Sequence, residues 1–139
     1  MQTVHLKDCH FHDSVIQKIT FDGTQLTLCI PESFYENTYE KTKVEIEVLD
    51  VLNIIEIKQY YRFGRVRYRG EKISILELQE LFRQGYDLRI DELFLSCDSA
   101  VAIFDCAVIP CPKGRGRSRT VRLELHNYRN VVFKGIDEL

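Results

Sequence analysis

Apolar and polar side chains alternate along much of the chain, and this alternation predicts β-strands. In residues 25–30 three aliphatic side chains alternate with polar ones, which is the period of a strand with one buried face. Asp22 and Gly23 separate this run from the apolar positions of residues 15–21. Asp-Gly favours the type I′ turn, whose two central residues need positive φ, so the sequence predicts a β-hairpin here.

Three later segments also have strand character. Residues 44–48 alternate valine and isoleucine with glutamate, whereas residues 51–57 are more uniformly apolar and predict a central strand. In residues 65–69 three arginines alternate with Val66 and Tyr68, which predicts a strand with one charged face.

One helix is predicted at about residues 75–84. Ser74 and Glu77 form a capping box, in which the serine hydroxyl accepts a hydrogen bond from a free backbone N–H and the glutamate reaches back. Apolar residues at helical spacing follow, and Gly85 suits the position after the last turn. The apolar stripe is expected to pack on a sheet.

Two segments after the helix resemble two segments before it. The aligned segments are 12–21 with 86–95, and 44–57 with 121–134. The identical polar pairs in this alignment are Asp13 with Asp87, Glu47 with Glu124, and Asn53 with Asn130. An internal duplication of about residues 12–57 and 86–134 explains them, and a chance likeness between alternating strands is the alternative.

The fold class that follows is mainly β (α+β), in a single domain over residues 1–139. We expect two similar antiparallel β-meander halves, packed as a sandwich or a curved sheet, with the helix between them. Each half contains a long connection, at residues 31–43 and 105–119. Long loops on a β scaffold often carry function. The length excludes a TIM barrel, which needs about 250 residues.

Charge is nearly balanced in total but uneven along the chain. Nineteen Lys and Arg against twenty-one Asp and Glu give a net charge of −2, so no overall field favours nucleic acid or membrane. Residues 58–72 nevertheless carry six bases and one acid, and residues 113–122 carry five bases and no acid. We call these segments the two basic islands. The remainder of the chain is strongly acidic.

The basic islands make nucleic-acid binding one of two functional hypotheses. The first island interleaves tyrosine and phenylalanine with arginine, and proteins that bind single strands use such aromatic faces for bases and arginines for phosphates. The alternative is a solvated strand face whose arginines pair with acids such as Glu45 and Glu47. The candidate anion- or nucleic-acid-binding residues are Arg62, Arg65, Arg67, Arg69, Lys113, Arg115, Arg117 and Arg119.

Protein docking is the other hypothesis, and it rests on the first long loop. Phe34, Tyr35 and Tyr39 lie there among glutamates. Aromatic side chains anchor protein interfaces and charge steers the approach of a partner. The alternative is that these rings fold back onto the core of the domain.

No catalytic, metal or cofactor site is predicted, and we expect the protein not to be an enzyme. The possible metal ligands near the start of the chain are His5, Cys9, His10, His12 and Asp13. Two of these histidines share a face in an extended segment, but a structural zinc site needs four ligands. The glycine spacings fit no phosphate-binding loop, and no serine has the context of a nucleophile.

The opening FHDSVIQKITFDGTQLTLCI (residues 11–30) and the later VRLELHNYRNVVFKGID (residues 121–137) carry a resemblance. They resemble small bacterial proteins of unknown function, mainly β, that begin with an HDS-x-I-x-x-I segment. Some of these are assigned as immunity proteins of toxin systems. The resemblance implies a small cytosolic binding protein and brings no catalytic residues.

Together these observations predict a cytoplasmic binding module with an unidentified protein partner, in the toxin-neutralising role that the resemblance implies. Nucleic-acid binding through the basic islands is the alternative. No signal peptide and no long apolar segment is present, so we expect no membrane partner. The five cysteines are expected to be free thiols. Exposed sheet edges offer a route to self-association.

Overall fold

A computed structural model describes residues 2–9, 11–33, 40–98, 100–110 and 118–135. The strands are β1 (Gln2–Val4), β2 (Val15–Ile16), β3 (Lys18–Phe21), β4 (Gln25–Ser33), β5 (Glu40–Arg62), β6 (Arg65–Ile73), β7 (Asp87–Leu95), β8 (Val101–Ile109) and β9 (Ser118–Gly135). A 3-10 helix spans Leu6–Asp8 and one α-helix, α1, spans Ile75–Arg83. The predicted mainly-β fold with one helix is confirmed. Among the described residues, no helix has the length and apolar character needed to cross a membrane.

The nine strands of the described residues form one antiparallel sheet. Its order is β2-β7-β8-β9-β5-β4-β3, with β1 paired to β9 and β6 paired to β5. The two ends of this order, β2 and β3, are separated in the chain only by Gln17. The Gln17 N–H donates to the Cys29 carbonyl of β4 at 2.9 Å, while Ile16 pairs with Leu88 of β7. The sheet therefore closes on itself through this segment, which is the curved-sheet form of the prediction.

Two three-stranded meanders make up most of the sheet. β3, β4 and β5 form one, β7, β8 and β9 form the other, and β5 pairs with β9 between them. Glu47 accepts a hydrogen bond from Asn130 at 2.8 Å, and the aligned Glu124 is the cross-strand partner of Asn53. The backbones differ, because Asn130 has a φ of 52°. The internal duplication stays a prediction.

One long strand replaces two predicted ones. Residues 44–48 and 51–57 both belong to β5, which has 23 residues. A register shift against β9 falls between Val48 and Val51. Such β-bulges bend a strand and increase its twist, so β5 follows the curve of the closed sheet without interruption.

The two long connections are shorter than predicted. β4 continues to Ser33 and β5 begins at Glu40, so strand pairing takes up much of the predicted loop at residues 31–43. β8 extends to Ile109 and includes the first part of residues 105–119. Pairing with neighbouring strands extends β4, β5 and β8, and these partner strands cannot be identified from a single sequence.

The predicted hairpin at residues 15–30 is confirmed, but its turn differs from the expected type I′. The Asp22 carboxylate accepts hydrogen bonds from the backbone N–H groups of Thr24 at 2.9 Å and Gln25 at 2.7 Å. Only Gly23 has positive φ in this turn, at 106°. The aspartate side chain therefore takes the place of a backbone acceptor, which is the geometry of an Asx turn.

Aliphatic and aromatic side chains fill the interior of the closed sheet. Phe104 is fully buried, and the ring of Phe11 lies 5.7 Å from it and 5.9 Å from the ring of Phe133. Phe11 precedes β2 in the chain, so the segment before the closing strand contributes to the core. Aromatic pairs at these distances add to the stability gained by burial alone.

Helix α1 has the predicted cap and the predicted buried stripe. The Ser74 hydroxyl accepts a hydrogen bond from the Glu77 N–H at 3.1 Å. Leu78 and Leu81 are buried, and the Gln79 side chain donates to the Ile19 carbonyl of β3 at 3.2 Å. The helix therefore lies against the closing segment of the sheet and follows directly after β6.

Candidate functional site

The second half of β5 and the whole of β6 form a two-stranded hairpin, residues 54–73, which we call the ribbon. Nine residue pairs join the strands, from Ile54 with Ile73 to Arg62 with Arg65. Among the described residues, the last pair between β5 and β9 at this end is Gln59 with Ser118. Every side chain from residue 65 to residue 72 is exposed. Among the described residues, β6 pairs with β5 alone.

Phe63 and Gly64 form the turn at the tip of the ribbon. Their φ values are 52° and 71°, and positive φ at both central residues is the signature of a type I′ turn. Glycine adopts this conformation freely, whereas a bulky residue with positive φ is strained. The Phe63 side chain is 88% exposed, so burial does not compensate for the strain. The sequence predicted a type I′ turn at Asp22 and Gly23 instead.

The cross-strand register gives the ribbon one cationic face. Directly paired residues of antiparallel strands project to the same side of a sheet. The pairs on this side are Lys58 with Arg69, Tyr60 with Arg67, and Arg62 with Arg65. The cationic face therefore places five basic side chains around one tyrosine.

The opposite side of the ribbon is an aromatic face. Gln59 pairs with Tyr68, and Tyr61 pairs with Val66. The side chains of Tyr61 and Tyr68 are 59% and 68% exposed. Arginines and tyrosines that look interleaved in the sequence are thus mostly separated onto two sides, because alternate residues of a strand point in opposite directions.

The arginines of the cationic face have no acidic partner within the part of the chain that the structure describes. These arginines are Arg62, Arg65, Arg67 and Arg69. The solvated strand face of the alternative is present, but the pairing of its arginines with Glu45 and Glu47 is wrong. Glu45 lies 3.0 Å from the ammonium group of Lys134, and Glu47 lies 3.1 Å from the guanidinium of Arg129. Both acids lie in the first half of β5, which β6 does not contact.

The second basic island begins beside the first. Arg119 of β9 pairs with Lys58 across the strands. Its guanidinium donates to the Glu56 carboxylate at 2.8 Å from Nε and lies 5.5 Å from the centre of the Tyr86 ring. Glu56 is buried, and its carboxylate also lies 4.0 Å from the Lys58 ammonium group, so two cations compensate for its burial. Arg119 therefore anchors the base of the cationic face and is less available to a ligand than the free arginines.

An open cavity of about 640 Å³ lies where the two islands meet. It is lined from the ribbon by Lys58, Tyr60, Arg62 and Arg69, and from β9 by Ser118 and Arg119. The volume falls in the range of small-molecule sites, about 300–1,000 Å³. A positively charged cavity of this size can accommodate an anionic group together with a ring attached to it.

The structure brings five of the candidate basic residues together, namely Arg62, Arg65, Arg67, Arg69 and Arg119. The other three, Lys113, Arg115 and Arg117, lie outside the described residues, as do the docking-loop candidates Phe34, Tyr35 and Tyr39. Lys58 was predicted only as part of the first basic island, and Tyr60 only as one of the aromatic residues interleaved with its arginines. The spacing of two residues from Lys58 to Tyr60 and from Tyr60 to Arg62 was the available signal, because it places all three on one side of a strand.

The N-terminal cluster does not assemble a metal site among the described residues, where no group of three or more His, Cys, Asp or Glu is suitably placed. The Cys9 thiol donates to the His5 carbonyl at 3.3 Å, and the His12 ring contacts the Asp91 carbonyl at 2.7 Å. Burial, together with the charge of Asp8, raises the pKa of Cys9 to about 11. A thiol with a raised pKa is a poor nucleophile at neutral pH.

No protein-family model matches the chain, and no curated protein or solved structure is significantly similar to it. Function therefore has to be inferred from the chemistry of the ribbon and of the sheet that carries it. The toxin-immunity role implied by the resemblance stays a prediction.

Proposed function

We propose that the protein is a nucleic-acid-binding module that contacts phosphate groups through the cationic face of the ribbon. The observation that carries the proposal is the set of four arginines on one exposed face, none of which forms an ion pair with an acid among the described residues. The next pair on this side, Glu56 with Glu71, is acidic and marks the end of the cationic face. Arginine binds phosphate with strong, charge-assisted hydrogen bonds. An exposed arginine without an acidic partner keeps these donors available.

The charge of the ribbon also favours a polyanionic ligand. Residues 58–72 carry six bases and one acid, whereas the chain outside the two basic islands is strongly acidic. The Debye length at physiological salt is about 8 Å, so acids that lie farther than this from a phosphate on the ribbon repel it only weakly.

Fluorescence anisotropy with short labelled RNA and DNA tests the proposal. At about 50 mM salt, we expect Arg65→Ala, Arg67→Ala and Arg69→Ala together to weaken binding at least tenfold, because three phosphate contacts are lost. The matched control replaces Lys7, Lys18 and Arg83 by alanine, which makes the same change in net charge away from the ribbon. Equal loss of binding in both triple variants would contradict a site on the ribbon.

A protein partner is the second candidate, and the aromatic face of the ribbon favours it. Tyr61, Val66 and Tyr68 form an exposed apolar strip, and aromatic residues often anchor protein interfaces. A photo-crosslinking amino acid in place of Tyr68 should then capture a protein in a native cell lysate. The same group in place of Leu76, which is equally exposed but lies on α1, serves as the control. Capture from both positions to the same extent would contradict a specific interface.

A further inference from the structure

We infer that the ligand is a single strand of RNA or DNA, and that Tyr60 is the platform on which one of its bases stacks. This inference rests on the proposed function. The observation behind it is the position of Tyr60, which is the one aromatic residue on the cationic face and lies at its centre. A duplex keeps its bases stacked on each other, whereas a single strand offers their faces to a protein.

Tyr60 is surrounded by cations in the plane of the face. Arg67 is directly opposite on β6, and Lys58 and Arg62 flank it on its own strand. Directly opposite residues have Cβ atoms about 5 Å apart, and alternate residues of a strand are about 6.8 Å apart. A base stacked on the ring would therefore have basic groups on three sides, within reach of its own and the adjacent phosphates.

The spacing along β6 fits the same ligand. Arg65, Arg67 and Arg69 follow one another on one side of the strand, each about 6.8 Å from the next. This separation is close to that of successive phosphates along an extended single strand. The ribbon can thus bind consecutive phosphates of one strand in order.

The cavity beside Tyr60 provides room for the base. Its volume of about 640 Å³ exceeds that of a single nucleotide, and Tyr60 forms part of its wall. Gln59 and Ser118 line it as well, joined by a hydrogen bond of 2.6 Å from the serine hydroxyl to the side-chain amide oxygen of Gln59. Tyr60 itself is 37% exposed, so its side chain is accessible to a ligand.

Anisotropy with single-stranded and duplex oligonucleotides of about 12 nucleotides, a length within known single-strand sites, tests the inference. We expect Tyr60→Ile to weaken single-strand binding about tenfold or more, since loss of one stacked base has an effect of this size. Tyr60→Phe keeps the ring and is expected to bind like the unchanged protein. Tyr68→Ile alters the aromatic face and is the matched control. Circular dichroism shows whether each variant is folded.

A second readout is photo-crosslinking to an oligonucleotide that contains 5-bromouracil. We expect the crosslinked peptide to contain Tyr60, as identified by mass spectrometry. Tighter binding to duplex than to single strand, with Tyr60→Ile and Tyr68→Ile equally active, would overturn the inference and leave the proposed function standing. Absence of binding to every oligonucleotide at about 50 mM salt, where phosphate contacts are strong, would overturn the proposed function itself.

Discussion

Replacement of Phe63 by asparagine is expected to stabilise the fold. The residue has a φ of 52° at the tip of the ribbon, and its side chain is 88% exposed. A bulky residue in this region carries strain of about 1–2 kcal/mol, whereas Asn-Gly is the preferred pair for the type I′ turn. The substitution also removes the contact between the Arg62 guanidinium and the Phe63 ring, at 5.3 Å, which is worth about 0.5 kcal/mol at an exposed site. The expected net gain is about 0.5–1.5 kcal/mol.

Urea unfolding followed by circular dichroism measures this gain. With a slope of about 2 kcal/mol per molar urea, the midpoint should rise by about 0.25–0.75 M. Phe63→Ala is the matched control, because it removes the same ring but lacks the short polar side chain whose local hydrogen bonds let asparagine adopt the left-handed region. An Asn variant no more stable than the Ala variant would refute the argument that backbone strain is stored at the tip.

Three further predictions concern the core, the thiols and the response to acid. Phe11→Ala should lower the unfolding free energy by about 3–5 kcal/mol, whereas Phe94→Ala, at a half-exposed ring, should have a much smaller effect in the same urea assay. Mass spectrometry after brief alkylation of the folded protein should find Cys97 modified and Cys106 protected, because burial raises the pKa of Cys106 and blocks access. Backbone N–H groups of the residues after Asp22 hold the pKa of its carboxyl below 3.8. The stability that Asp22 contributes is therefore present above about pH 4 and should be lost as the pH falls below this value through the lowered pKa, and the loss should be smaller in Asp22→Asn.

Each of these predictions has a contradicting outcome. Equal destabilisation by the two phenylalanine substitutions would mean that Phe11 does not contribute specially to the core. Rapid alkylation of Cys106 in the folded protein would place it outside the closed sheet. An unchanged acid response in Asp22→Asn would show that its hydrogen bonds to Thr24 and Gln25 do not couple folding to protonation.

Local signals in the sequence predicted most of the elements. The capping box at Ser74 and Glu77 defined the helix start, and alternation identified the strands. The types of the turns were harder to predict from their residues than the strands and the helix were. Asp22 and Gly23 had the better type I′ sequence, but the aspartate side chain accepts the hydrogen bonds there, and the type I′ geometry occurs at Phe63 and Gly64. A turn adopts the geometry that its flanking strands require. The register and twist of those strands depend on their pairing with strands that are distant in the sequence.

The candidate site shows the same limit more clearly. Arginines at 65, 67 and 69 could be assigned to one side of a strand from spacing alone. The sequence did not show that these arginines lie on the same side as Tyr60, or which residues of β5 lie opposite them. Both depend on the fact that β6 pairs with the second half of β5 and not with its first half. Closure of the sheet through Gln17 could not be predicted from the sequence either, because it depends on pairing between strands that are distant in the chain.

The salt dependence of binding tests the central claim most directly. For a single strand, the logarithm of the binding constant falls with the logarithm of salt concentration by about 0.7 per phosphate contact. Five basic residues on the cationic face, Lys58, Arg62, Arg65, Arg67 and Arg69, predict a slope of about −3.5, falling to about −1.4 when Arg65, Arg67 and Arg69 are replaced by alanine. A slope near zero, or one that the three substitutions leave unchanged, would contradict a phosphate-binding ribbon.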